Sequence, residues 1–214
     1  LASEYPGISC QSRVLVGEAI DEIIGMSTEI NADLIIMGTL GASNLTRTLF
    51  GSNTASVVEN STCPVLCIPA GISFQVPKRI LFSTNFSYDD IQAIRKLVSI
   101  SRAFSAEIMV GHVDTSTEED GDESSMEKFV TEIRLATNYS NFSHMIVSDH
   151  NVSMGLDQIV QESNVDMVAL STHKRNFFEK FYNPSLTKKI SLYSNIPILV
   201  FQNPRDNEKT GKDF

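Results

Sequence analysis

Short apolar runs alternate with segments of helical periodicity through the second part of the chain. Arg79–Ser83 is a continuous apolar run typical of a strand, and Tyr88–Phe104 has apolar residues at helical spacing after two acidic residues. The same patterns predict further strands at Glu107–Val113, His144–Ser148, Asp166–Leu170 and Pro197–Phe201, and helices near Ser125–Asn138, Ser153–Ser163 and Ser185–Ser194. Five strands alternating with helices predict a doubly wound, open parallel sheet with helices on both faces.

The chain also contains an internal repeat. Residues 29–68 align without a gap onto residues 162–201 at a constant offset of 133. Asp33, Ser52 and Pro64 are each identical to the residue aligned with them in the second half. We therefore predict an α/β protein with two homologous domains. The first covers residues 1–70, the second covers residues 77–202, and a polar tail follows at 203–214.

The first half is shorter than the second. Leu1 falls opposite Arg134, so residues 77–133 have no counterpart there, and these positions hold two predicted strands. A first-half strand near Arg13–Val16 would then be separated from the strand at 33–37 by a gap with exposed edges. We expect a natural protein that is longer at its N-terminus, or strands supplied by a cleaved piece or another subunit.

A glycine pattern follows the apolar run Asp33–Met37, which predicts a strand buried on both faces. Gly38, Gly41 and Gly51 could let the backbone approach an anionic ligand that a Cβ would block. Ser52 is predicted to cap a helix whose N-terminal amides and dipole point at the same place. These features are typical of a phosphate site, although such glycines could also serve only to shape a strand-to-helix turn.

The order of the strand, the glycine spacing, the Gly-Ser pair and the Pro-led strand at 64–68 resembles the universal stress protein family. The resemblance implies that Gly38, Gly41, Gly51 and Ser52 hold the ribose and phosphates of ATP or AMP. It also implies a Rossmann-like strand order of 3-2-1-4-5 in each of two five-stranded sheets, the first lacking its N-terminal strands. The last strands of the two halves, 64–68 and 197–201, are expected to pair with each other or with a partner chain.

The equivalent loop of the second half departs from this pattern. The positions of the three glycines hold Ser171, Lys174 and Pro184, and only Ser185 keeps its type. Asn85 stands where the family usually has an Asp, which removes an expected partner of the nucleotide. His173, Lys174 and Arg175 keep a local positive charge that could hold a phosphate. We nevertheless predict nucleotide only in the first half, and this fragment could be empty without the missing strands.

Composition narrows the classes of partner and location. The net charge of −9 argues against general affinity for nucleic acid or an anionic membrane. No run is long enough to span a membrane and no signal peptide is recognisable, so a cytoplasmic location is expected. Cys10, Cys63 and Cys67 suggest neither a disulfide framework nor a zinc site, and buried thiols are expected instead.

The sequence shows no catalytic constellation and no metal site. The four histidines, His112, His144, His150 and His173, lie on different predicted elements, and no nucleophile motif accompanies them. His150 beside Asp149 is in the right region for a ligand, but a solvated loop histidine is the simpler interpretation. The leading hypothesis is a non-enzymatic protein that binds an adenine nucleotide for stress regulation or sensing. The alternative is a scaffold or interaction module that holds no nucleotide.

Overall fold

The computed structural model describes residues 7–39, 51–116, 122–172 and 195–202. The helices are α1 (Ala19–Glu29), α2 (Ser52–Asn60), α3 (Tyr88–Phe104), α4 (Glu123–Thr137) and α5 (Val152–Ser163). The strands are β1 (Ile35–Gly38), β2 (Val65–Ile68), β3 (Arg79–Ser83), β4 (Glu107–Asp114), β5 (Phe142–Ser148), β6 (Met167–Thr172) and β7 (Ile198–Gln202). The helix predicted at Ser185–Ser194 lies outside the described residues. The sequence patterns did not predict α1.

The described strands form one sheet in the order β1-β2-β7-β6-β3-β4-β5. Its second-half strands follow the expected order 3-2-1-4-5, and they pair with one another in parallel. Two apolar cores lie on opposite faces of the sheet. Apolar residues of α3 and α4 pack on one face, and those of α1, α2 and α5 pack on the other. The predicted α/β class is therefore confirmed.

The two halves join through their last strands instead of forming two separate sheets. β2 and β7 are antiparallel neighbours, with Leu66 opposite Leu199. The Gln202 side chain also donates a hydrogen bond to the Val58 carbonyl, which ties α2 to the second half. The expected pairing of the last strands is thus confirmed within one chain. Because the pairing is antiparallel, the strands of the two halves run in opposite directions. Their carboxyl ends therefore lie at opposite ends of the sheet, measured along the strands.

β1 lies at one edge of this sheet and is more exposed than its repeat counterpart β6. Ile36 is 63% exposed, whereas Ala169 at the equivalent position is fully buried. The reason is pairing: among the described strands, β6 lies between β7 and β3, while β1 has a neighbour, β2, on one side.

The strand predicted near Arg13–Val16 is wrong, since these residues have no regular secondary structure. Val14 is 95% exposed, but its counterpart Val147 in β5 is 9% exposed. Among the described strands, β5 pairs with β4, and none takes the place of β4 beside residues 13–16. Without that neighbour, the segment has no ladder to join.

The cysteines differ in their surroundings. Cys67 is buried in β2, and burial raises the pKa of its thiol to about 12. Cys63 is partly buried beside the Ser61 hydroxyl, and Cys10 is exposed. The expectation of buried thiols is therefore correct for Cys67 and wrong for Cys10.

Two glycines at different places in the equivalent helices α1 and α5 provide a matched test of packing. Gly155 is buried in α5, and a Cβ there would lie 2.5 Å from Val113 Cγ1 in β4. Gly25 in α1 is exposed, and a Cβ there would meet nothing within 4 Å. A methyl group at the first position must therefore displace a branched side chain of the sheet, whereas one at the second is tolerated.

We expect Gly155→Ala to lower the free energy of unfolding by about 1–3 kcal/mol through overpacking. Gly25→Ala should raise it by about 0.5–1 kcal/mol, because alanine restricts the unfolded chain and favours the helix. Urea unfolding followed by circular dichroism measures both changes. Equal effects of the two substitutions would contradict the close helix-to-sheet contact at Gly155.

Asp157 of α5 is a half-buried carboxyl. Its Oδ1 atom has no hydrogen-bond partner among the described residues, and burial raises the pKa of the group from 3.8 to about 6. Ionisation is therefore harder in the folded protein than in the unfolded chain. The folded state holds more protons between these two values, so this group makes stability fall as pH rises through about 6.

Asp157→Asn should remove this pH-dependent penalty. The variant is expected to gain stability relative to the unmodified protein at pH 7.5 but to gain less, or nothing, at pH 4.5. Urea midpoints of both proteins at the two pH values provide the comparison. An equal difference between the proteins at both pH values would show that the carboxyl ionises without penalty in the folded state.

Candidate functional site

The predicted glycine site lies where β1 ends and α2 begins. The Gly51 amide donates to the Thr39 carbonyl over 2.5 Å, and the Thr54 hydroxyl donates to the Gly38 carbonyl over 2.7 Å. These two bonds bring Gly38, Gly51 and Ser52 to one turn at the carboxyl end of the strand. Gly41, the fourth predicted residue, lies outside the described residues.

The start of α2 differs in detail from the prediction. Gly51 is the N-cap residue with extended backbone angles, φ −65° and ψ 158°, and Ser52 is the first helical residue. The prediction that Ser52 caps the helix is therefore wrong, and no side chain caps it. The amides of the first turn still have no acceptor within the helix, because a helix begins with unpaired N–H groups.

The electrostatics of this turn suit an anion. The first turn of α2 contains no acidic residue. The helix dipole adds a partial positive charge at the same point. The Gly51 amide is already bonded to Thr39, so the donors for a ligand are the later amides of the first turn. Gly38 is exposed and has no Cβ, which leaves its backbone open to close approach.

The equivalent position in the second half is filled by the protein itself. Ser171 replaces Gly38, and its hydroxyl donates to Oδ1 of Asp90. Asp90 is only 2% exposed, and its Oδ2 accepts hydrogen bonds from the Thr84 hydroxyl at 2.8 Å and the Asn85 amide at 3.1 Å. A buried carboxylate therefore lies beside the position equivalent to the glycine. The remainder of the second loop, including Lys174, Pro184 and Ser185, lies outside the described residues.

The sequence patterns missed this role of Asp90. They indicated only that an acidic residue favours the start of α3. In the structure, Ser87 and Asp90 form a capping box, in which each side chain accepts from the backbone amide of the other. The Ser-x-x-Asp spacing is the signal that could have identified this cap, although it says nothing about Ser171.

The described histidines do not assemble a catalytic group. His112 contacts the Thr84 carbonyl and Asp122, His144 lies 3.9 Å from Glu123, and His150 is exposed. The carboxylate of Asp149 accepts a hydrogen bond from the Asn151 amide at the start of α5. Over the described ranges, no group of three His, Cys, Asp or Glu residues is placed to hold a metal ion. His173 lies outside these ranges.

Within the described part of the chain, none of the helices has the length and apolar character that crossing a membrane requires.

Comparison with solved structures shows the same fold in a universal stress protein from Archaeoglobus fulgidus. That structure matches with a TM-score of 0.66 and 20% identity, over 86% of this chain and 67% of the other. A putative universal stress protein from Pseudomonas aeruginosa matches with a TM-score of 0.61 and 14% identity, over 87% of this chain and 69% of the other.

Sequence comparison points to the same group of proteins. The universal stress protein MJ0531 of Methanocaldococcus jannaschii is 38% identical over 68 residues, which are 32% of this chain and 39% of that protein. The universal stress protein Sll1654 of Synechocystis is 40% identical over 63 residues, which are 29% of this chain and 40% of that protein. The matches thus span about two fifths of these relatives. The model of the universal stress protein family matches residues 1–69 and 77–202, which is most of the sequence, and the chain therefore belongs to the universal stress protein family.

Proposed function

We propose that the first half binds an adenine nucleotide, ATP or AMP, and that the protein uses it for stress regulation or sensing. The observation that carries the proposal is the turn that joins the end of β1 to the start of α2. It places Gly38, Gly51 and Ser52 together at the carboxyl end of a parallel strand. Ligands of open α/β sheets bind on this side of the strands. Gly41 belongs to the proposed site by its place in the sequence.

The chemistry of the turn favours phosphate over other groups. The amides of the first turn of α2 offer donors, and the helix dipole favours negative charge. A phosphate approaching the backbone at Gly38 and Gly51 meets no Cβ. The absence of acidic residues from this first turn removes a source of repulsion.

The asymmetry between the halves follows from the same chemistry. Ser171 and the buried Asp90 lie at the carboxyl end of β6, and the Asp90 carboxylate would repel a phosphate brought to that place. Nucleotide binding by the first half alone is therefore the version that the geometry favours. Binding without turnover is proposed as well, because the described residues offer no nucleophile paired with a base.

A scaffold or interaction module is the second candidate. The outer edge of β1 favours it, because Ile36 is 63% exposed on a strand that, among the described strands, pairs on one side only. An edge of this kind can pair with a strand of another chain. A protein of this class would bind its partner with or without nucleotide. A cytoplasmic location stays a prediction from the sequence.

We expect Gly51→Val to weaken ATP binding by at least roughly tenfold, since a branched Cβ would occupy the approach of the phosphates. Isothermal titration calorimetry of the full chain with ATP, ADP and AMP measures the affinity. Pro184→Val places the same side chain at the equivalent position of the second half, 133 residues later. This control should bind nucleotide as the unmodified protein does.

The pair of variants separates the possible outcomes. Loss of binding in Gly51→Val alone supports the first-half site. Loss in Pro184→Val alone would move the site to the second half and overturn the asymmetry. If the unmodified protein binds no nucleotide in calorimetry and releases none on heating, by mass spectrometry, the interaction module becomes the better account.

A further inference from the structure

His112 connects two elements at the carboxyl side of the second half. Its ring lies near the end of β4 and is largely buried, with 13% of the side chain exposed. Nδ1 lies 2.9 Å from the Thr84 carbonyl oxygen, which follows β3. Nε2 lies 2.8 Å from Oδ2 of Asp122, the N-cap residue of α4. One side chain thus joins the end of β3 to the start of α4.

Both of these partners are acceptors. A carbonyl oxygen cannot donate, and an ionised carboxylate cannot either. Both contacts are hydrogen bonds only when Nδ1 and Nε2 each carry a proton, or when one proton is shared between Nε2 and Asp122. Removal of that proton leaves a nitrogen lone pair facing an oxygen, which repels instead of binding. The bridge therefore depends on one titratable proton.

Packing holds the ring in this place. The Phe86 ring lies against His112 with 4.3 Å between ring centroids, and the Phe129 ring of α4 meets Phe86 at 5.7 Å. Phe86 adopts φ +62°, a left-handed conformation that is rare for an aromatic residue. The Thr84 hydroxyl accepts from the Phe86 amide and donates to Asp90, which ties this turn to the cap of α3. The turn is thus held from several sides.

Within the described ranges, the charged groups around His112 come from two elements. Asp122 faces it from α4, and Asp114 faces it from the end of β4. Hydrogen bonds from Ser116, a bond with Asp122 and the nearby positive charge of His112 lower the pKa of Asp114. The turn after β3 contributes the Thr84 carbonyl and the Phe86 ring instead of a charge.

We propose that His112 is a protonation-dependent latch that holds the start of α4 against the carboxyl end of β3. The closed state binds one proton more than the open state, so the latch is closed at lower pH and opens as pH rises. Opening loosens the first turn of α4 at the mouth of the second-half crevice. The inference is independent of the proposed nucleotide site, which lies in the other half.

Amide hydrogen exchange of the full chain, corrected for the intrinsic effect of pH, tests the latch. In the unmodified protein, protection of the first bonded amides of α4, residues 126–129, should fall by roughly tenfold as pH rises, because one charge-assisted hydrogen bond is lost. His112→Gln carries no titratable proton and should show no such change with pH. His144→Gln is the matched control, since His144 lies 3.9 Å from Glu123 at the same helix start.

A direct measurement covers the case in which His112→Gln does not fold. NMR of the unmodified protein follows the His112 ring protons and the amides of residues 123–129 in one pH series. Coincident midpoints support the latch. Different midpoints, a pH dependence that survives in His112→Gln, or one that disappears in His144→Gln would each overturn it.

Discussion

The antiparallel pairing of β2 with β7 is the contact on which the arrangement of the whole chain depends. Each strand is the last of its half, and without the other each would leave a row of backbone N–H and C=O groups unpaired. The pairing converts two edges into the middle of a seven-stranded sheet. Every residue of β7 is buried as a result. It also makes the strands of the two halves run in opposite directions, so the carboxyl ends of β1 and β6 lie at opposite ends of the sheet, measured along the strands.

The equivalent strands β1 and β6 differ in the chemistry of their carboxyl ends. At the end of β1 a glycine leaves the backbone open, and the start of α2 carries no side-chain cap. At the end of β6 Ser171 bonds to the buried Asp90, and Asp90 is also part of the cap of α3. The start of α2 thus has amide donors without acceptors in the helix, while the described end of β6 carries a serine that is bonded to a buried carboxylate. This difference is the physical basis for assigning a ligand to the first half alone.

The second half uses its carboxyl side for internal contacts. Asp90 links the turn after β3 to β6, and His112 links that same turn to α4. The Asp114 carbonyl accepts from the Asp149 amide, which joins the ends of β4 and β5. The described carboxyl ends of these strands, where other α/β proteins bind ligands, are thus joined to neighbouring elements by hydrogen bonds, one of which responds to protonation.

The sequence by itself determined the α/β class, the repeat and most of the elements. Continuous apolar runs and helical periodicity are local properties, so β3 and α3 begin and end as predicted, at 79–83 and 88–104.

Only the tertiary structure decided the features that depend on contacts between segments distant in the chain. Arg13–Val16 has strand-like residues but forms no strand, because none of the described strands pairs with it. The N-cap of α2 is Gly51 and not Ser52, and the Gly51 amide donates to the Thr39 carbonyl, twelve positions earlier in the chain. The contacts of Ser171 with Asp90 and of His112 with Asp122 join residues 81 and 10 positions apart, and no local pattern records which side chains meet there.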